Sequence, residues 1–342
     1  MRIFWTGDKG FIAGYAIQNL LDKGHIVIGI DNNWKYGKIK KSYHTHKNYH
    51  HFYMDAKNKF LMKFLVWFYK PEIMVNGAAL IGGISFFHKL AGDLISENEE
   101  ICSTFFKTAI YAYKKGFLKK ILAISSSMVY ESATKFPSKE GDERKISPPL
   151  STYGFQKLSV EYFCQGYYEQ YGLPYTIIRP FNAVGLGEQK AKVDEKVMSG
   201  TIELAMSHVV VDFIQKIIKG QNPLRILGDG NQIRYYTPAN DLADGIEKAI
   251  FSEKALNEDF NLSTNRGLTV LELAKIIWNL IQPEKEFSYI SDKPFKYDVQ
   301  CRIPDTIKAK EILNFESKTL LENILRDEVI PWVREMIKLG KV

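Results

Sequence analysis

The 342-residue chain predicts an α/β fold: a doubly wound parallel sheet with a smaller C-terminal α/β lobe. Three observations carry this. Short apolar runs alternate with helix-period segments through the first half, a glycine loop separates the first run from the first helix, and the rhythm loosens into longer loops after Arg179. Repeated βα units place parallel strands side by side with helices on both faces. The length gives room for one large domain and a smaller one, and we divide the chain into 1–180 and 181–342, with some later segments returning to the first domain.

The elements follow in order. Arg2–Thr6 is a buried strand, Ile12–Lys23 a helix stopped by Gly24, and His25–Ile30 a second strand ending at Asp31. Lys59–Tyr69 is a helix closed by Pro71, followed by a strand at Glu72–Asn76. A long helix runs from about Asp93 to Lys115 into the strand Lys120–Ser125. The helix carrying Tyr153 closes at Gly172 and leads to the strand Tyr175–Arg179. Further helices are expected at Val209–Lys219, Asp241–Phe251, Val270–Ile281 and Leu320–Lys338. The His-rich stretch His44–His51 offers no Cys or carboxylate ligand and reads as a solvated connection rather than a metal site.

Composition narrows the function classes. A hydrophobic fraction of 45% and a charged fraction of 25% suit a soluble globular enzyme, and the net charge of +7 suits an anionic, phosphorylated substrate. The lysines are scattered and form no nucleic-acid motif, so no nucleic-acid partner is expected. Cys102, Cys164 and Cys301 are far apart and lack metal-ligand spacing; no metal and no disulfide framework are expected, and a cytoplasmic location fits. The N-terminus enters a strand rather than a signal peptide, and no apolar stretch is long enough to span a bilayer, so no membrane partner is expected.

Thr6-Gly7-Asp8-Lys9-Gly10-Phe11-Ile12-Ala13 lies between a strand and a helix, where bare backbone and a helix N-terminus can approach a pyrophosphate. Asp31, ending the next strand, can accept hydrogen bonds from an adenosine ribose and repel a 2′-phosphate, which favours NAD over NADP. Asn32, Asp55, Ala56, Ala78 and Ala79 are further candidates along the cofactor edge. Tyr153 and Lys157 share one helical face at i, i+4. The ammonium is expected to lower the tyrosine pKa so that the phenolate can act as a general base beside Ser125-Ser126-Ser127.

Together these motifs resemble the extended short-chain dehydrogenase/reductase family, specifically its nucleotide-sugar epimerases, dehydratases and reductases, which share a Rossmann-type sheet. The resemblance adds Arg179-Pro180-Phe181-Asn182, Gly228-Asp229-Gly230-Asn231-Gln232-Ile233-Arg234 and Arg302-Ile303-Pro304-Asp305, and covers nearly the whole chain. It implies that Tyr153 takes a proton from a sugar hydroxyl while NAD takes the hydride. Lys157 would hold the nicotinamide ribose, Ser126 the reacting hydroxyl, and Asn182 the substrate. Gly7, Gly10, Phe11, Ile12, Ser125, Pro180 and Asn182 would line the cofactor; Gly82, Gly83, Ser127, His208, Val209 and Lys216 would line the substrate. Arg234 and Arg302 would clamp the diphosphate and Asp305 would meet the nucleoside ribose.

The family's 4,6-dehydratases place acids where this chain has Ser127 and Met128, and a thioether can neither give nor take that proton. Ala79–Ile84 and Ser207-His208-Val209 look like the GDP-fucose synthase and GDP-mannose 3,5-epimerase branch, with His208 matching one proton carrier and Met128 replacing the other. The favoured reading is an NAD-dependent nucleotide-sugar epimerase working through a transient 4-keto sugar in surface-glycan or deoxysugar biosynthesis. A GDP-sugar is slightly preferred over a UDP-sugar. The alternatives are a dehydratase with a displaced acid, then a dehydrogenase or 4-keto reductase, and last an inactive NAD-binding interaction protein. A homodimer is expected through the Asp93–Lys115 and Tyr153 helices, with Phe105, Phe106, Tyr162 and Phe163 supplying apolar surface.

Overall fold

A computed structural model describes residues 1–81, 90–188, 198–203, 208–294 and 299–342. Gly82, Gly83, Ile84 and Ser207, which carry part of the branch resemblance, lie outside the described residues.

Six strands arise from the first half: β1 (Arg2–Thr6), β2 (Ile26–Asp31), β3 (Tyr49–Tyr53), β4 (Ile73–Asn76), β5 (Lys120–Ile124) and β6 (Tyr175–Pro180). A seventh, β7 (Glu258–Leu262), comes from the second half, and all pair in parallel in the order β7-β6-β5-β4-β1-β2-β3. The order reverses between β1 and β4. A crevice therefore opens at their carboxyl ends, the position at which such sheets bind ligands.

Helices cover both faces. On one lie α1 (Phe11–Asp22) and, from the second half, α6 (Ala239–Phe251), where Ile17, Leu20, Leu242 and Ile246 meet the sheet. On the other lie α2 (Lys59–Tyr69), α3 (Ala91–Lys114) and α4 (Thr152–Tyr171), with Met62, Phe105, Phe106 and Cys164 in that core. The ends follow local chemistry. Ser151 Oγ accepts from Gly154 N at 3.0 Å to start α4, and Gly172 at φ 68° ends it in a conformation that suits a residue without Cβ. A separate core in the lobe joins α5 (Val209–Ile218), α7 (Val270–Ile281) and the C-terminal helix through Val210, Ile214, Leu273, Trp278 and Val333. Among the described residues no helix is long and apolar enough to cross a membrane.

Three expectations need correction. The His-rich stretch is not all loop: Tyr49–Tyr53 is the edge strand β3, in register with Val27–Asp31. Two of its five members are histidines, which hide a strand in a polar-looking run; one of them, His51, places Nδ1 2.8 Å from Asp8 Oδ2, beneath the glycine loop. The C-terminal helix is unbroken from Leu321 to Lys338 but not α-helical throughout, with a π-helical stretch at Leu325–Val329 between Leu321–Ile324 and Ile330–Lys338. Phe105 and Phe106 are buried within their own subunit and cannot supply a dimer surface, whereas Tyr162 on α4 is 60% exposed.

Candidate active site

A cavity of about 1650 Å³ follows the carboxyl ends of the strands and extends under the lobe. Its floor at the switch point is stitched by Thr6, whose Oγ1 accepts from Gly77 N (3.1 Å) and Ala78 N (3.2 Å) and donates to Val75 O (3.2 Å). Gly7 has φ 75°, and a Cβ there would sit 2.8 Å from Ala78 Cα, so this approach requires glycine. At Gly10, which caps α1, no side chain accepts the helix's first N–H groups. Phe11, Ile12, Ala78 and Ala79 line the same end. Such an uncapped helix start beside two close-packed glycines fits a pyrophosphate.

Asp31 accepts from Lys9 N at 3.2 Å and Asn33 N at 2.6 Å. Burial raises its carboxyl, with those two N–H groups opposing the shift. Asn32 Nδ2 donates to Asp55 Oδ2 at 3.1 Å, so these residues form one polar edge beside Ala56. Sequence reasoning missed two cations here. Lys9 lies in the glycine loop with its ammonium buried and without a hydrogen-bond partner, and Lys41 Nζ donates to Gly10 O at 3.1 Å. Burial lowers both, Lys41 to about 8, while Asp31 pulls the other way. The clamp of Asn98 on Leu80 was also missed: Oδ1 accepts from Leu80 N at 2.6 Å and Nδ2 donates to Leu80 O at 3.1 Å.

At the far end Ser126, Tyr153 and Lys157 converge. Ser126 Oγ accepts from Met128 N at 3.2 Å and is also hydrogen-bonded to the Tyr153 side chain. Lys157 Nζ donates to Ile124 O at 3.0 Å and lies 6.0 Å from the centre of the Tyr153 ring. The expected depression of the tyrosine is not seen. Burial pushes Tyr153 up to about 12, outweighing its hydrogen bond to Ser126 and the Arg302 charge, while Lys157 is lowered by burial to about 8. The ammonium is spent on a backbone carbonyl, and a fully enclosed phenol resists ionisation more than a half-open one. Ser125 turns away from the cavity centre, donating to Glu161 Oε1 at 2.5 Å.

Met128 is buried against Tyr153 and Leu94, and Arg302 Nη1 lies 3.3 Å from both Ser127 Oγ and Met128 Sδ. Arg234 lines the cavity beside Arg302, with Nη1 donating to Ile233 O at 2.9 Å and Nη2 to Val299 O at 2.5 Å. Asn182, Pro180, Val209 and Lys216 also line the cavity; Asn182 Nδ2 donates to Tyr235 O at 3.2 Å and Lys216 Nζ to Arg225 O at 3.0 Å. Asp305 departs from expectation. It is not among the lining residues, and its Oδ1 accepts from Ile307 N at 2.8 Å at the start of the next helix. The turn chemistry of an Asp two residues before a helix takes the carboxylate. His208 caps α5 and pairs through Nδ1 with Glu188 Oε1, a partner 20 residues away that no motif points to. Burial raises Glu188, but the His208 charge and hydrogen bonds, with Lys35, outweigh it and leave the carboxyl lowered.

The crevice at the switch point, its open helix start and Asp31 fit a dinucleotide whose nicotinamide end meets Tyr153 and Lys157. Residues 3–263 match the NAD dependent epimerase/dehydratase family. The chain belongs to this family. It is 26% identical to a UDP-glucuronate 4-epimerase of Thermodesulfobacterium geofontis over 98% of this chain and 97% of that one. It is 28% identical to a UDP-N-acetyl-alpha-D-glucosaminuronate decarboxylase of Bacillus cytotoxicus, over 98% of each. Among solved structures, the UDP-glucose 4-epimerase of Thermotoga maritima with UDP-glucose superposes with a TM-score of 0.80 at 26% identity, covering 98% of this chain and 100% of that one. The chain is thus an NAD-dependent enzyme of the nucleotide-sugar epimerase and dehydratase kind.

Proposed function

We propose that this family member is a UDP-sugar 4-epimerase that passes through a transient 4-keto sugar. The observation that carries the reading is Met128: a buried thioether packs on Tyr153 where an elimination would need an acid. Bound NAD supplies the hydride acceptor and later the donor, and its cationic ring adds the positive charge that Lys157 alone does not bring to the phenol. Tyr153 takes the proton of the C4 hydroxyl, Ser126 holds that oxygen, and Lys157 holds the nicotinamide ribose. With the cofactor bound, the wide cavity would let the 4-ketone present its other face to the hydride donor, and Tyr153 would return the proton to the C4 oxygen. Atoms and electrons balance, with no net redox change. Arg234 and Arg302 serve the diphosphate, residues 1–180 the cofactor and 181–342 the sugar nucleotide. Homodimerisation uses the exposed Phe155 and Tyr162 of α4.

The slight preference for GDP gives way to UDP, because the relatives named above are named for UDP-sugars or hold UDP-glucose. A second reading, decarboxylation of a UDP-hexuronate, is favoured by Arg302, whose guanidinium beside Ser127 and Met128 could hold a C6 carboxylate. One experiment separates them: a UDP-sugar panel run in deuterated water and followed by NMR. The 4-epimer without deuterium at C3 or C5 is expected. Loss of C6 as carbon dioxide gives the second reading, and deuterium at C5 would overturn simple 4-epimerisation.

A further inference from the structure

The cavity at the carboxyl ends of the strands does not account for α2. This helix, Lys59-Phe60-Leu61-Met62-Lys63-Phe64-Leu65-Val66-Trp67-Phe68-Tyr69, carries large apolar side chains on its outer face as well as on its core face, with the two lysines along one edge between them. Met62, Leu65 and Val66 fill the core. At 100° per residue Phe60, Phe64 and Trp67 fall on the side opposite that core face, with Leu61 and Phe68 beside them. All five are exposed, Phe60 to 85% and Phe68 to 62%. The rings of Phe64 lie 6.3 Å from Trp67 and 6.2 Å from Phe68, so they form one patch rather than scattered apolar side chains. A contiguous exposed apolar patch of this kind marks a docking surface.

Charge decides what docks. The helix contains no acid; Lys59 and Lys63 lie within it and Lys70 caps it. On the neighbouring α3, Glu97 and Glu100 already face Lys57. A symmetric pairing of two copies through this face would bring together two helices with no carboxylate on either to pair the lysines. Lipid phosphates would neutralise the lysines while the rings enter the headgroup boundary, the arrangement of an interfacial helix.

We propose that the outer face of α2 docks the enzyme on an anionic lipid bilayer, with Phe60, Phe64 and Trp67 as the apolar anchor and Lys59, Lys63 and Lys70 as the electrostatic one. The expectation of no membrane partner rests on the lack of a spanning segment, and a peripheral contact needs none. None of the residues of this face lines the cavity, so docking localises the enzyme without entering its chemistry.

The test is co-sedimentation of the full-length protein with phosphatidylcholine vesicles, with and without phosphatidylglycerol. Binding is expected with phosphatidylglycerol, falling as salt is raised. The triple variant Phe60→Ser, Phe64→Ser, Trp67→Ser and the double variant Lys59→Glu, Lys63→Glu should each weaken it by about tenfold or more. Turnover in vesicle-free buffer should match that of the unmodified protein in both variants, which shows that they fold. Three results would overturn the proposal: no binding to anionic vesicles, binding unchanged in the triple variant, or a triple variant that only converts a dimer to a monomer by light scattering. The last would assign the face to a second copy.

Discussion

The sheet half and the lobe hold their polar groups in opposite ways. Beneath the Ser125–Ser127 strand end, fully buried Arg179 donates through Nε to Glu161 Oε1 at 2.8 Å, through Nη2 to Glu161 Oε2 at 2.7 Å and through Nη1 to Tyr130 Oη at 2.9 Å. Its Nη2 also pairs with Glu143 at 3.2 Å and Asp259 at 2.7 Å. Glu161 in turn receives Ser125, whose Oγ lies 3.4 Å from Lys157 O. In the lobe, Arg234 leans on backbone carbonyls, Arg225 meets Asp292 at the rim, and His208 meets Glu188 with its own side chain 42% exposed. The sheet half is a floor locked by water-excluded charge, and the lobe is a roof whose contacts can be exchanged for a ligand's. Fixed chemistry below and adjustable recognition above suit a family with many substrates.

The sharpest attack on the floor is Tyr153→Phe, which removes only the phenolic oxygen. Turnover should fall by about a thousandfold or more while calorimetry still finds NAD binding; substantial residual turnover would break the assignment of proton transfer. Arg179→Met should cost about 3–5 kcal/mol in urea unfolding by stranding buried carboxylates, whereas Arg225→Met at the rim should cost about 1 kcal/mol or less. Equal losses would erase the contrast between the halves. Asp31→Ala should narrow the preference for NAD over NADP by about tenfold in calorimetry, less than an isolated carboxylate would give because Lys9 and Lys41 already offset it. His208→Asn should be the mildest, with turnover within about tenfold, since 4-epimerisation asks no carbon proton of it. A collapse there with deuterium at C5 would move His208 into the chemistry.

The same contrast explains what could be read from the sequence. Gly7, Gly10, Asp31, Ser126, Tyr153 and Lys157 sit at strand ends or on one helix, so short-range spacing already fixes where each lies relative to the sheet. Lys41 was missed because a loop after β2 must fold back before it reaches Gly10, and Lys9 because the motif does not show that its ammonium is buried. Glu188 was missed because its partner His208 lies across a long connection, and the role of Asp305 changed because a local helix start competes for its carboxylate. The pKa of Tyr153 depended on how completely the ring is enclosed, which spacing does not encode.

Strand β7 carries one more consequence. It pairs with β6 from Glu258↔Thr176 to Leu262↔Pro180, so the sheet's final strand is supplied some eighty residues after the strand it covers, about the length of a small domain. As the chain leaves the ribosome, β6 emerges early with one flank open, a bare row of N–H and C=O groups that any extended segment could occupy. The lobe must be synthesised, and its intervening segments placed, before residue 262 closes that edge. The C-terminal half is therefore also the half that protects the other from pairing with strangers.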